Sequence, residues 1–101
     1  MQFEQRDGIS FINVDIALTQ QTIMELCNNI QSLAMQAPHK IIINMQQMPY
    51  ITASALLSFF QSYSALFEKG FSLEIQAVNN DSYDLLKLAN FHLLADINKQ
   101  I

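Results

Sequence analysis

A stretch without charged residues lies between Lys40 and Glu68, and it constrains the fold more than any other part of the chain. It opens with the β-branched apolar run at residues 41–43, which predicts a strand covered on both faces or central in a sheet. It continues into a helix predicted from about Ala53 to Lys69, which ends at Gly70 because glycine readily adopts the left-handed conformation that follows a helix. The stretch therefore predicts a buried strand, a short turn and a long helix.

The same stretch raises the alternative of a membrane-spanning helix. Asn44, Gln46, Gln47 and Pro49 interrupt it, and residues 51–67 include a threonine, four serines and a glutamine. A spanning helix needs about 20 mostly apolar residues. We therefore expect no direct insertion into a membrane.

Composition favours one globular domain spanning residues 1–101. Half of the residues are apolar and 14% are charged, which is typical of a chain with a packed core. The net charge is −4 and the five Lys and Arg residues are scattered along the chain, whereas nucleic-acid binding needs clustered basic groups. We therefore expect no nucleic-acid partner.

Two features point to the cytoplasm. The single cysteine, Cys27, excludes an internal disulfide and suits a reducing compartment. Residues 1–8 contain neither the basic region nor the apolar region of a signal peptide. Cys27 also lies on the apolar side of a predicted helix, so we expect it to be a small core residue.

The first third of the chain predicts two strands and a helix. The strands cover residues 3–5 and 9–14 and are joined by the hairpin dipeptide Asp7-Gly8. The helix is indicated by an apolar stripe at helical spacing, formed by Ile23, Leu26, Cys27, Ile30, Leu33 and Ala34. Because this helix lies between two strands, a right-handed crossover with parallel strand pairing is expected.

The start of this helix has two candidate positions. Thr19 can cap it, and Thr22 can form a capping box with Glu25 one turn later. Its end is expected near Pro38, which cannot continue a helix.

The last third of the chain predicts a strand and a short helix. Residues 71–77 alternate between apolar and polar, as in a strand with one exposed face. Residues 79–81 cap a helix that ends at Asn90, a candidate for a left-handed C-terminal residue. Residues 91–97 are apolar without a clear period and are expected to return across the core. The order strand–strand–helix–strand–helix–strand–helix predicts an α/β domain.

The long helix has two different faces. A predicted core stripe consists of Ala53, Leu56, Phe60, Tyr63 and Phe67. A second face carries Ser54, Ser58 and Gln61, with Leu57 beside them, and it is free of charge. Solvated helix faces usually carry Lys and Glu, and interface cores are depleted in charge. Two interpretations stay open: an ordinary exposed face of a chain rich in Gln and Ser, or a docking surface for a protein partner.

The residues that would indicate catalysis or metal binding do not converge in this sequence. His39 and His92 are far apart and have no cysteine or carboxylate at ligand spacing, so both are expected at the surface. The only glycines are Gly8 and Gly70, which excludes a glycine-rich phosphate loop. We therefore expect a non-enzymatic domain without a metal or a cofactor.

The start of the long helix is the best candidate for regulatory chemistry. Thr52 is a suitable N-cap and Ser54 lies in the first turn. The first N–H groups of a helix lack intrahelical partners and lie at the positive end of its dipole, so a phosphate on Ser54 would be well placed. Ser54 is equally consistent with a plain helix-start residue, because serine is common in first turns.

Three segments of the chain resemble the STAS domain family, which includes the anti-sigma factor antagonists. The family typically has Asp-Ser-Ser-Gly-Leu after an apolar strand, where this chain has Thr52-Ala53-Ser54-Ala55-Leu56. It often has Gly-x-Leu-Asp before the first helix, where this chain has the sequence Ile-Ala-Leu-Thr at residues 16–19. Residues 76–79 and 85–91 are similar to the last strand of the family and the helix that follows it.

The resemblance implies a single STAS-type domain with a small mixed sheet of four to five strands and three to four helices. It implies binding to a kinase-type anti-sigma factor or related signalling protein, with Ser54 at the position of the phosphorylated serine. Thr52 replaces the acid of the family motif and Ala55 replaces its glycine. The expected partner-binding residues are Thr52, Ala53, Ser54, Ala55, Leu57, Ser58 and Gln61.

A second hypothesis follows from the last third of the chain. This part also resembles the small STAS subunit of the bacterial phospholipid-trafficking ABC transporter, which docks on the transporter ATPase. The turn of that subunit also lacks the serine pair. In this case the same helix face would be a permanent interface that phosphorylation does not switch.

Overall fold

The structure is a computed structural model and describes residues 1–35 and 40–100. The helices are α1 (Ile23–Ala34), α2 (Ala53–Glu68) and α3 (Asn80–Leu88), followed by a 3₁₀ turn at Phe91–Leu93. The strands are β1 (Gln2–Arg6), β2 (Ile9–Asn13), β3 (Lys40–Asn44), β4 (Leu73–Val78) and β5 (Asp96–Lys99).

The strands form one mixed sheet in the order β1-β2-β3-β4-β5. β1 and β2 are antiparallel, and Asp7 and Gly8 between them have φ angles of 53° and 79°, as the predicted hairpin turn requires. The pairs β2–β3, β3–β4 and β4–β5 are parallel. The predicted α/β domain with a small mixed sheet is therefore confirmed, and so is the parallel pairing across α1.

One face of the sheet forms the core with the helices. Alternate side chains of β2, β3 and β4 are buried there: Ser10, Ile12, Ile41, Ile43, Leu73 and Ile75. The opposite face is only half-buried, as Phe11, Ile42 and Glu74 show. Cys27 is buried in the core as expected, and Phe91 from the 3₁₀ turn packs against Phe59 of α2.

The core stripe predicted for α2 is partly wrong. The buried residues are Ala55, Leu56, Phe59, Tyr63 and Leu66, whereas Ala53 and Phe67 are exposed and Phe60 is half-buried. The sequence offers two overlapping apolar stripes because Phe59 and Phe60 are adjacent. Burial distinguishes them: Phe59 is buried and Phe60 is half-buried, although the ring of Phe91 contacts both, at centroid distances of 4.5 Å and 5.8 Å.

The capping box predicted at the start of α1 is wrong. Thr22 is the N-cap residue, but its hydroxyl donates to the carbonyl oxygen of Ala17 at 2.6 Å and does not accept from the N–H of Glu25. The Thr19 hydroxyl oxygen instead accepts from the N–H of Thr22 at 3.3 Å, in the turn before the helix. The predicted end of α1 near Pro38 lies outside the described residues.

The chain after α3 contains a strand that the sequence does not predict. Asn90 has φ of 63°, so the left-handed residue expected after α3 is confirmed. The interpretation of residues 91–97 as irregular is wrong at their end, where β5 begins and pairs with β4. β5 contains one apolar residue, Ile97, and therefore shows no apolar alternation.

Candidate functional site

The start of α2 lies at the edge of the sheet where the parallel strands end. A bridge between Leu18 and Ile51 connects the segment after β2 to the segment before α2. The N–H of Leu18 donates to the carbonyl oxygen of Tyr50 at 3.0 Å, and the N–H of Thr52 donates to that of Leu18 at 2.9 Å. Two chain segments are thereby fixed next to each other at this edge.

Thr52 caps α2 as predicted. Its backbone is extended, with φ −85° and ψ 159°, and its hydroxyl oxygen accepts from the N–H of Ala55 at 3.2 Å. The Thr52 and Ser54 hydroxyl oxygens are 3.3 Å apart, within hydrogen-bonding distance. Ser54 is exposed, so its hydroxyl is accessible from outside the molecule.

The electrostatics of this helix start favour a negative group. The first N–H groups of a helix have no acceptor within the helix and lie at the positive end of its dipole. The first turn of α2 contains no acidic residue. The turn therefore has no negative side chain of its own to interact with that dipole.

The predicted partner-binding residues divide into an exposed set and a buried one. The exposed residues are Ala53, Ser54, Leu57 and Gln61, and Leu57 is 60% exposed. Thr52 and Ser58 are half-buried. Ala55 is 0% exposed and belongs to the core. Ala55 is therefore not part of the accessible surface at this helix start, and its prediction as a partner-binding residue is wrong.

Two residues that the sequence analysis did not select belong to this site. Tyr50, directly before the turn into α2, is 54% exposed. Asn79, at the end of β4, donates from Nδ2 to the carbonyl oxygens of Met48 at 3.3 Å and Pro49 at 3.5 Å. Tyr50 could have been selected from the sequence, because it is an aromatic residue directly after Pro49 in the predicted turn. No residue near Asn79 predicts its contact with a turn 30 residues earlier.

Other reactive side chains are separate from this site. Cys27 faces α2, with its thiol 4.0 Å from the carbonyl oxygen of Ser58, and burial raises its pKa and so disfavours the thiolate. Burial also raises the pKa of Tyr63 to about 12, and its hydroxyl donates to the carbonyl oxygen of Phe71 at 2.9 Å. His92 is exposed, and His39 lies outside the described residues.

Metal-ligand clusters and membrane-spanning helices are both absent from residues 1–35 and 40–100. Within these ranges, His, Cys, Asp and Glu do not gather in groups of three or more that could hold a metal ion. Within the same ranges, every helix is too short or too polar to cross a membrane.

The described residues form one small α/β domain with a five-stranded mixed sheet. The chain belongs to the STAS domain family, whose model matches residues 1–100. The resemblance inferred from the sequence is thereby confirmed. No curated protein matches the chain closely enough to add a more specific assignment.

Three solved structures show the same fold. A proposed anti-sigma factor antagonist from Thermotoga maritima has a TM-score of 0.83 and 13% identity, covering 99% of this chain and 86% of that one. A sulfate transporter family protein from Wolinella succinogenes has a TM-score of 0.77 and 15% identity, and the match covers 95% of this chain and 80% of that one. The anti-sigma factor antagonist SpoIIAA in its unphosphorylated form has a TM-score of 0.70 and 14% identity, and the match covers 95% of this chain and 85% of that one. At these identities the likeness shows the fold alone.

Proposed function

We propose that this chain is a protein-interaction module of the anti-sigma factor antagonist type. Its partner is a kinase-type anti-sigma factor or a related signalling protein, and the complex forms in the cytoplasm. The docking surface consists of Tyr50, Thr52, Ala53, Ser54, Leu57, Ser58 and Gln61. The observation that supports it most is the exposed face of α2 beside the capped helix start, which carries no charged residue and includes Leu57 at 60% exposure, because interface cores are depleted in charge.

We further propose that phosphorylation of Ser54 switches this surface. The Ser54 hydroxyl is exposed and attacks the γ-phosphorus of ATP bound to the partner kinase, so that ADP leaves and the hydroxyl proton is released. The phosphate adds about −1.5 to −2 of charge at the positive end of the α2 dipole, where it is tolerated by the fold. The same charge opposes an apolar partner surface, so the partner is released.

In this proposal the chain is a substrate and a binding partner, and it needs no catalytic group, metal or cofactor of its own. The hydroxyl of Thr52 caps α2 and contacts Ser54, but threonine does not supply the negative charge of the family's acid. Recognition by the kinase therefore depends on the shape of the exposed turn and on Leu57.

The departures at Thr52 and Ala55 support a second candidate function. In it the chain is the unphosphorylated STAS subunit of a bacterial lipid-trafficking ABC transporter, and the same surface docks permanently on the ATPase. The fold that this chain shares with a sulfate transporter family protein supports this candidate.

A capture experiment with matched variants distinguishes the two. The protein, its Leu57→Arg variant and a Leu88→Arg control are immobilised and exposed to extract from the cells that produce it. Leu88 is 80% exposed on α3, so the control adds the same charge at a different surface. A kinase-fold anti-sigma factor lost with Leu57→Arg and retained with Leu88→Arg supports the first candidate, and an ABC ATPase with that pattern supports the second. If no captured protein depends on Leu57, the docking surface is wrong.

Phosphorylation is tested separately by incubating the captured kinase-fold partner, the protein and ATP, then locating any added phosphate by mass spectrometry. The expected result is one phosphate at Ser54, absent in Ser54→Ala, and dissociation of the complex. A stable complex without any phosphate at Ser54 removes the switch and leaves the docking surface in place.

A further inference from the structure

The side chain of Asn79 connects two helix starts at the edge of the sheet. Its Oδ1 accepts from the N–H of Ser82 at 2.9 Å and so caps α3. Its Nδ2 donates to the carbonyl oxygens of Met48 and Pro49, in the segment that leads into α2. The oxygen of this amide therefore caps α3, while its nitrogen binds the turn that leads into α2.

The segment between β3 and α2 is held at several points along its length. The amide of Gln100 donates from Nε2 to the carbonyl oxygen of Gln46 at 3.2 Å. Backbone bonds to Leu18 hold Tyr50 and Thr52 on the far side. The contacts from Asn79 fall between these two points, directly before the exposed ring of Tyr50.

The chain approaches Asn79 through a strained backbone. Ala77 has φ of 59°, in the left-handed region that non-glycine residues rarely adopt, and the register of β4 with β5 shifts between Ile75 and Val78. Such strain persists only where surrounding contacts compensate for it. The hydrogen bonds of Asn79 to both helix starts are contacts of that kind.

We propose that Asn79 is a positioning residue for the docking surface, because its amide N–H groups fix the turn that presents Tyr50 and the first residues of α2. The importance of this role for docking rests on the proposed function, whereas the hydrogen bonds themselves are formed by the protein without a partner. Asparagine is required because a serine can cap α3 but is too short to reach both carbonyls. An aspartate has the same shape and caps equally well, but at neutral pH it has no hydrogen to donate.

Amide hydrogen exchange on the isolated protein tests this role. The variants are Asn79→Asp and Asn79→Ser, with Asn80→Asp as a matched control that adds the same charge one residue further along α3. The amides of Leu18 and Thr52 report on the turn, because their acceptors are the carbonyls of Tyr50 and Leu18. The amide of Ser82 reports on the cap of α3, and all rates are referred to core amides of β3.

We expect both Asn79 variants to raise the exchange rates of Leu18 and Thr52 about tenfold or more, with Ser82 changed less than threefold. Asn80→Asp should leave all three rates within threefold of the wild type. A residue that only caps α3 would not produce this split. Unchanged rates at Leu18 and Thr52, or a rise there no larger than at Ser82, overturn the proposal. The exchange experiment contains no partner, so a negative result would not contradict the proposed docking surface. A negative capture experiment would likewise not contradict the role of Asn79 in fixing the turn.

Discussion

The starts of α2 and α3 have the same backbone geometry but different side chains at the second helical position. Both capping residues are extended, with ψ of 159° at Thr52 and 162° at Asn79, and each side chain accepts from the N–H three residues later. The third helical residue is buried in both cases, Ala55 at 0% and Ser82 at 2% exposure. The second helical residue is exposed in both, but it is Ser54 in α2 and Asp81 in α3.

This difference shows where a negative charge belongs in such a helix start. In α3 the carboxylate of Asp81 permanently complements the positive end of the helix dipole. In α2 the equivalent position carries a neutral hydroxyl. A phosphate on Ser54 would give α2 the kind of charge that α3 already has, so the fold has a built-in precedent for the proposed switch.

The largest effect is expected at the buried third position of α2. Ala55→Arg places a charged side chain in a fully packed site and should cost about 3 kcal/mol or more of unfolding free energy. Leu57→Arg, on the exposed face, should change it by less than about 0.5 kcal/mol. Urea denaturation measures both. Equal costs for the two would show that Ala55 is not in the core.

The second prediction concerns the two caps. Thr52→Ala removes a cap alone and should cost about 1 kcal/mol. Asn79→Ala removes a cap and the bonds to the turn before α2, and should cost about 2 kcal/mol. The ratio is read from chemical denaturation of both variants under one set of conditions. A smaller loss for Asn79→Ala than for Thr52→Ala would mean that the contacts to Met48 and Pro49 contribute nothing.

The cap of α2 could be predicted from sequence because it depends on nearby residues. Thr52 follows Pro49 and precedes an apolar helix, and its hydroxyl acts three residues away. The bonds of Asn79 to the α2 turn could not be predicted, because they join segments 30 residues apart that only the finished sheet brings together. The same limit applies to β5, whose pairing with β4 and not its own pattern makes it a strand.

The burial of Ala55 shows a different limit. The long helix is apolar on more than half of its circumference, so its sequence allows two core stripes about one residue apart. In the folded protein Phe59 is buried and Phe60 is half-buried, and the ring of Phe91, from a segment near the other end of the chain, contacts both. Sequence periodicity predicted the helix correctly but not its rotation, and the rotation determines which of Ala53 and Ala55 a partner can touch.

The third prediction concerns the strained approach to α3. Ala77 is in the left-handed region, where the Cβ atom costs about 1 to 2 kcal/mol that glycine avoids. Ala77→Gly should therefore stabilise the protein by about 0.5 to 1 kcal/mol after the entropy that glycine loses. Thermal unfolding followed by circular dichroism measures the gain. Ala89→Gly, at the end of α3 with φ of −83°, is the control and should not stabilise.

The smallest change in stability is expected when the negative charge is added at the start of α2 or removed from the start of α3. Ser54→Asp should stabilise α2 by about 0.5 kcal/mol and Asp81→Asn should destabilise α3 by a similar amount, because each alters the charge at the positive end of a dipole. Both changes should shrink in 1 M salt, where charges are screened within about 3 Å, and the neutral Ser54→Asn control should lack this salt dependence. Only Ser54→Asp should also weaken binding to a partner that depends on Leu57, since Asp81 lies outside the docking surface. A stabilising Ser54→Asp that leaves binding unchanged would separate the two effects of charge: the helix start would accept an anion for its own stability, and the release of a partner would need another cause.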